Sequence, residues 1–263
     1  MTDTANAGTA KPGTFRLASV FRKSFVIFGR HFVPIVVIVG VGRFIPYYFT
    51  QALTQELVDL RFNAPLDPTL DAVTFGWLMT GARVLGSLVS LATAALAAAM
   101  VTYGAMQELT GGRFSAGRSF TAVLHRPLPV MGVGLCTGIA VILGYLLLIV
   151  PGVIVACMWY VSLPACIAER TGVFQSLSRS RLLTRGYRWR VLGAVVLVVL
   201  VPMVVAAARL NAMLRLEATD FAGMPITQLA ILSVSSAFGA VLSAVVYCEL
   251  RAVRENKIST VFD

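Results

Sequence analysis

The sequence predicts an all-α polytopic membrane protein: six transmembrane helices, paired as three hairpins, with amphipathic helices on the cytoplasmic side. Three observations carry that prediction. Hydrophobic residues make up 57% of the 263 positions and charged residues 13%, with a mean hydropathy of +0.81, outside the range of a soluble domain. Six apolar segments lie at Phe32 to Thr50, Val84 to Met106, Leu128 to Val150, Gly152 to Ala168, Val191 to Ala208 and Ile226 to Cys248. Each is near the roughly 20 residues that cross about 30 Å of hydrocarbon as a helix. Basic residues cluster in alternate connections, as six crossings with both ends on one side require. Inside hydrocarbon a segment must satisfy its own backbone hydrogen bonds, so each crossing is helical.

The elements follow in chain order. Residues 1–13 are small and polar, with no apolar stretch and cleavage site behind a basic start; they read as a disordered cytoplasmic tail ahead of one domain over 14–263. The first span then serves as its own uncleaved signal. Before it, Leu17, Phe21, Ser24, Phe25 and Phe28 recur at helical spacing beside Arg16, Arg22, Lys23 and Arg30, the pattern of a helix lying in the headgroup plane. The first span holds Arg43, the one charge inside any of the six segments, and an acidic connection with Glu56 and Asp59 follows it. From Leu128 to Ala168 the chain is apolar for 41 residues, interrupted only by Pro151-Gly152. One helix of that length would measure about 60 Å, twice the membrane. Proline breaks the hydrogen-bond ladder and glycine permits a tight reversal, so Pro151-Gly152 is expected to turn a hairpin that returns Arg126 and Arg170 to one side. Gly132, Gly134, Gly138 and Gly144 in the third span allow close helix contact. Cys136, Cys157, Cys166 and Cys248 all fall within spans without CxxC spacing and read as small apolar residues.

Charge fixes the expected orientation. Of the 22 Lys and Arg, five precede the first span, three follow the second, six follow the fourth and three follow the sixth; Arg43, Arg61, Arg83, Arg209 and Arg215 are the remainder. The 12 acidic residues divide evenly between the two sides, so the positive-inside rule places both termini in the cytoplasm.

An internal repeat organises the domain. Glu108-Leu-Thr-Gly111 is followed by Arg118-Ser119, and Glu169-Arg-Thr-Gly172 by Arg179-Ser180, with the same spacing; Lys23-Ser24 takes that place in the N-terminal segment. Each basic-Ser pair leads to a second basic cluster (Arg30-His31, His125-Arg126, Arg185 to Arg190) and then to an odd-numbered span. Three units result, at about 14–108, 109–169 and 170–250, each an amphipathic segment followed by two spans.

Candidate functional residues are few. Arg181, Arg185 and Arg188, at i, i+4 and i+7, share one helical face beside Tyr187 and Trp189; with Arg179 and Arg190 they form a basic, aromatic surface that either binds anionic headgroups or only sets topology, its aromatics belonging to the interfacial belt. Arg43 is a candidate because intramembrane charges are costly; either it snorkels toward the outer surface, with Tyr47 and Tyr48 one turn further along, or it faces the bundle interior and pairs with Glu56 or Asp59. Glu108, Glu169 and Glu249 close the even-numbered spans and are expected to pair with the basic segment of a neighbouring unit. His31 and His125 each sit beside an arginine at the mouth of a span, an interfacial placement rather than a ligand set. No HExxH, GxSxG, P-loop or paired membrane carboxylate occurs, so neither an enzyme nor a cofactor is expected.

The run from Pro151 through Trp159-Tyr160 to Pro164, then Glu169, Gln175 to Ser180 and Leu183 to Arg190, resembles the membrane-domain family of glycerophosphoryl diester phosphodiesterases and the YciC-like inner-membrane proteins. Tyr247-Cys-Glu-Leu-Arg251 and the final Phe262-Asp263 are similar to that family's ending. The resemblance runs from about residue 14 and implies a six-helix protein of a prokaryotic inner membrane. Some relatives carry a fused phosphodiesterase domain. With so little chain after the sixth span, the catalytic activity is not expected to transfer. The expected role is membrane or lipid organisation, or service as a membrane partner of other proteins; a transporter or lipid conduit of three parallel hairpins is the alternative. Expected partners are membrane lipids, anionic ones included, and a protein; no nucleic acid is expected.

Overall fold

The computed structural model describes residues 17–62, 72–215 and 224–262; the 1–13 tail, together with Arg16 and the terminal Asp263, lies outside them. Among the described residues there are ten helices and no strand. They are α1 (Leu17–Arg30), α2 (Phe32–Phe62), α3 (Ala72–Leu109), α4 (Ala116–Leu124), α5 (Pro127–Leu147), α6 (Ile149–Trp159), α7 (Ser162–Glu169), α8 (Val173–Thr184), α9 (Arg188–Arg215) and α10 (Met224–Phe262). Six stretches are long and apolar enough to cross a membrane: α2, α3, α5, α6 with α7, α9 and α10. The chain is therefore an all-α membrane protein by length and composition. Its outward faces agree, since Leu128 is 79% and Leu146 81% exposed, an apolar surface that water tolerates poorly and lipid covers.

Helix α10 is the hub. It has 56% of its most apolar window buried, against 11% for α5. Leu242, Val246 and Leu250 of α10 are fully enclosed, in a core shared with Ile35 of α2, Val101 of α3, Val161 at the start of α7, Val191 of α9 and Val20 of α1. Between lipid-facing helices no hydrophobic force drives association, so close packing depends on small residues. Gly134 of α5 supplies it: a Cβ there would fall 2.2 Å from the Ala95 Cβ of α3. Gly42 and Ala97 bring α2 and α3 together in the same way, at 2.8 Å.

The break in the long apolar stretch corrects the expected turn at Pro151-Gly152. The chain leaves the helix at Leu148 alone, with φ −168° and ψ 148°. Pro151 is the third residue of α6, where a first-turn N–H has no helical partner and proline costs nothing. Gly152 serves packing instead, because its backbone lies against Gly144, where a Cβ would meet the Gly152 Cα at 2.8 Å. Arg126 donates to the Arg170 carbonyl, so the two ends of this stretch meet.

The fourth span, expected as one helix over 152–168, breaks at Tyr160-Val161. Pro164 is the cause: its ring clashes with the carbonyl four residues back, that of Tyr160. Of the carbonyls left without helical partners, Met158 accepts from Ser180 Oγ of α8 at 2.8 Å, and Trp159 accepts from Ser162 Oγ at 2.7 Å. A helix break thus becomes a docking point for α8.

Helix α1 also departs from expectation. Its enclosed stripe is Val20, Ser24 and Ile27, with Leu17, Phe21 and Phe28 flanking it, whereas Phe25 is 60% exposed. The aromatic residues suggested a helix lying on lipid; small and branched residues fit closer to α10, so they take the core side.

Candidate functional site

The three basic-Ser pairs occupy equivalent places in α1, α4 and α8. Ser24, Ser119 and Ser180 are all fully buried. Ser24 and Ser119 donate to the carbonyls four residues back, at 2.9 Å each, while Ser180 reaches Met158. A buried hydroxyl facing inward leaves the preceding basic residue pointing to the rim, where, among the described residues, carboxylates meet Lys23 and Arg179 but not Arg118. Lys23 Nζ lies 2.5 Å from Glu249 Oε1, and Arg179 Nε donates to Glu169 Oε1 at 2.8 Å. That oxygen also accepts from the Tyr247 hydroxyl of α10 at 3.0 Å.

Glu108 corrects the expected pattern. It pairs within its own unit, with Arg30 Nη1 at 3.0 Å and His31 Nε2 at 3.1 Å, not with Arg118 of the next. The near-continuous α1–α2 junction brings Arg30-His31 to the end of α3, and Phe114 stacks on the His31 ring at a centroid distance of 4.8 Å.

Arg43 is corrected too. Glu56 lies 13 residues further along the same unbroken α2, about 20 Å away along the axis, and Asp59 further still, so neither is in reach. Arg43 Nε instead donates to Ser236 Oγ of α10 at 3.1 Å. The side chain lines a cavity of about 540 Å³ with Pro202 and Met203 of α9 and Ser235 of α10.

The arginines chosen from helical spacing do come together, but not on one helical face. Helix α8 ends at Thr184, Arg185 is extended at φ −63° and ψ 121°, and Gly186 turns the chain at φ 91° before Arg188 opens α9. Arg181, Arg185 and Arg188 converge across this turn to line a cavity of about 690 Å³. Arg254 of α10 holds the turn by donating to the carbonyls of Leu182 at 2.6 Å and Arg185 at 2.9 Å. Arg188 also lines a second groove of about 420 Å³, otherwise built from Val153, Ile154 and Cys157 of α6 with Trp189 and Leu192 of α9. Arg179 and Arg190 stand apart from both: Arg179 is committed to Glu169, and the Arg190 guanidinium lies 5.8 Å from the Tyr187 ring centroid. A cluster of three cations opening onto an apolar groove can hold an anionic group that carries a hydrocarbon tail.

A further basic cavity, of about 760 Å³, lies between α4, α5 and α7, with Arg118, His125, Arg126 and Arg170 in its wall. Sequence reasoning named Arg118 in the Glu-to-Arg-Ser spacing, His125 at the mouth of a span, and Arg126 and Arg170 as returning to one side, but it did not assemble the four into one site; the return of α7 beside α5 does so.

Comparison with known proteins yields no matching family model, no matching characterised protein and no matching solved structure.

Proposed function

We propose that this protein is a non-enzymatic integral protein of a prokaryotic inner membrane that holds anionic phospholipid at the α8–α9 turn, with both termini in the cytoplasm. One observation carries the reading: Arg188 belongs at once to the arginine-lined cavity and to the apolar groove between α6 and α9. A phosphate group in the first would face the guanidiniums of Arg181, Arg185 and Arg188, and the acyl chain would run along Ile154 and Leu192. Trp189, 86% exposed, has the amphipathic ring that favours the interface between headgroups and tails. The positive-inside count supports the orientation, and the run from Pro151 to Arg190 supports membership of the phosphodiesterase membrane-domain family.

The test is lipid identification by native mass spectrometry on protein purified from its membrane, comparing wild type with the Arg181→Gln, Arg185→Gln, Arg188→Gln triple variant. All three side chains are exposed, so the substitutions leave the core intact. Retained anionic phospholipid in the wild type, lost from the variant, is the expected result. Equal retention in both, or none in either, would remove the lipid role and leave these arginines as orientation signals.

A second reading, a conduit, draws on Arg43, whose guanidinium lines a cavity among spanning helices instead of reaching an aqueous end. It requires that Arg43→Leu abolish lipid or solute flux in reconstituted vesicles while leaving the folded fraction unchanged; unaltered flux excludes it.

A further inference from the structure

The α4–α5–α7 cavity gathers cations that no carboxylate among the described residues neutralises. Arg118 comes from α4, Arg126 from the residue before α5, and Arg170 from the residue after α7, with His125 beside them. No Asp or Glu lines the cavity, and none of the three arginines forms an ion pair among the described residues. Three exposed arginines line one space of about 760 Å³, and their like charges, screened in part by water, favour an anion there.

Local geometry holds the cations in place. Arg170 adopts φ 51° and ψ 33°, the left-handed conformation that an arginine takes up only at a cost, and Arg126 ties its carbonyl. His125 Nδ1 donates to the Thr121 carbonyl at 2.6 Å, which leaves Nε2 for the cavity. Tyr103 adds a hydroxyl to the same lining, while Thr121 Oγ1 donates to the Gly117 and Arg118 carbonyls and Thr171 Oγ1 is paired with Ser176 Oγ.

The junction between α1 and α2 offers a comparison. In the first unit, the basic pair between amphipathic helix and span, Arg30-His31, grips a carboxylate, that of Glu108. In the second unit the corresponding pair is His125-Arg126, and no internal carboxylate fills the place. We infer that this cavity is an anion site for a phosphate group, where Arg118, Arg126 and Arg170 donate to the phosphate oxygens that stand in for the Glu108 carboxylate. Planar guanidiniums suit phosphate through paired N–H donors. The phosphate belongs either to a small soluble ester or to a phospholipid headgroup whose glycerol rests on Val130 and Ile167. The site is separate from the α8–α9 cluster and does not depend on it.

The experiment uses the full chain with Arg181, Arg185 and Arg188 already changed to glutamine, so that the other cluster contributes nothing. In phosphatidylcholine nanodiscs, isothermal titration calorimetry reads two probes, sn-glycerol 3-phosphate and short-chain phosphatidylglycerol, against phosphatidylcholine as the control. Arg118→Gln and Arg170→Gly are then introduced singly. Arg118 is exposed, and glycine relieves the left-handed backbone at position 170, so both variants are expected to fold with unchanged melting temperature. Saturable binding of either anionic probe, weakened about tenfold by each substitution, is the expected outcome. Binding of both probes identifies a soluble phosphate site, and binding of phosphatidylglycerol alone identifies a headgroup site. Binding of neither probe at millimolar concentration, or binding unchanged by both substitutions, overturns the inference.

Discussion

Replacing Glu169 by alanine removes an oxygen that serves two helices at once, and the structure lets the two losses be separated. Glu169 Oε1 accepts from Arg179 Nε at 2.8 Å and from the Tyr247 hydroxyl at 3.0 Å. The Arg179 side chain is 42% exposed, so water recovers much of its share and the ion pair contributes at most about 1 kcal/mol. Tyr247 is 2% exposed; with Arg251 still beside its oxygen, leaving the buried O–H donor without an acceptor costs about 1–3 kcal/mol. Glu169→Ala should therefore destabilise by about 2–3 kcal/mol, mostly through Tyr247. Glu169→Gln keeps a carbonyl acceptor for the tyrosine and gives up only the charge, so its cost should stay below about 1 kcal/mol. Tyr247→Phe removes the donor itself, and in the Glu169→Ala background it should add little, a coupling of about 1–2 kcal/mol in a double-mutant cycle. Reversible unfolding of the micelle-solubilised protein by sodium dodecyl sulfate, followed by far-ultraviolet circular dichroism, measures all four. If glutamine proves as damaging as alanine, the charge and not the acceptor matters, and the reasoning fails.

Two further predictions test helix packing and the rim. Gly134→Ala should cost about 1–3 kcal/mol by forcing α5 away from Ala95, and Ala95→Gly should restore most of it in the double variant, read by the same unfolding assay. Independent costs that simply add would refute the close approach. Lys23 and Glu249 are 48% and 24% exposed at the side chain, so breaking the pair with Lys23→Glu should cost about 1 kcal/mol or less, and the exchanged pair Lys23→Glu with Glu249→Lys should recover it; no recovery would place the two apart.

The sequence by itself determined the helical class and the number of candidate spans, because both follow from local quantities: segment length, hydropathy and the need to satisfy backbone hydrogen bonds within each crossing. It also marked Ser24, Ser119 and Ser180 by a shared spacing, and these three positions are fully buried in α1, α4 and α8. It located the break in the long apolar stretch to within a few residues but assigned it to Pro151-Gly152, since a sequence does not reveal whether a proline sits in a turn or in the first turn of the next helix. Partners across the bundle were decided only by the tertiary structure. Arg43 was matched to Glu56 because the connection after the first span read as a loop; α2 continues to Phe62 and carries the carboxylate out of reach. Glu108 found Arg30 and His31 through the placing of helices far apart in the chain, whereas the return of Arg170 to the side of Arg126 was legible in the length of the apolar stretch and its contact with the Arg170 carbonyl was not. A side chain several ångströms long chooses among whatever the packing of small residues brings within reach, and that choice is not written at either end of the pair.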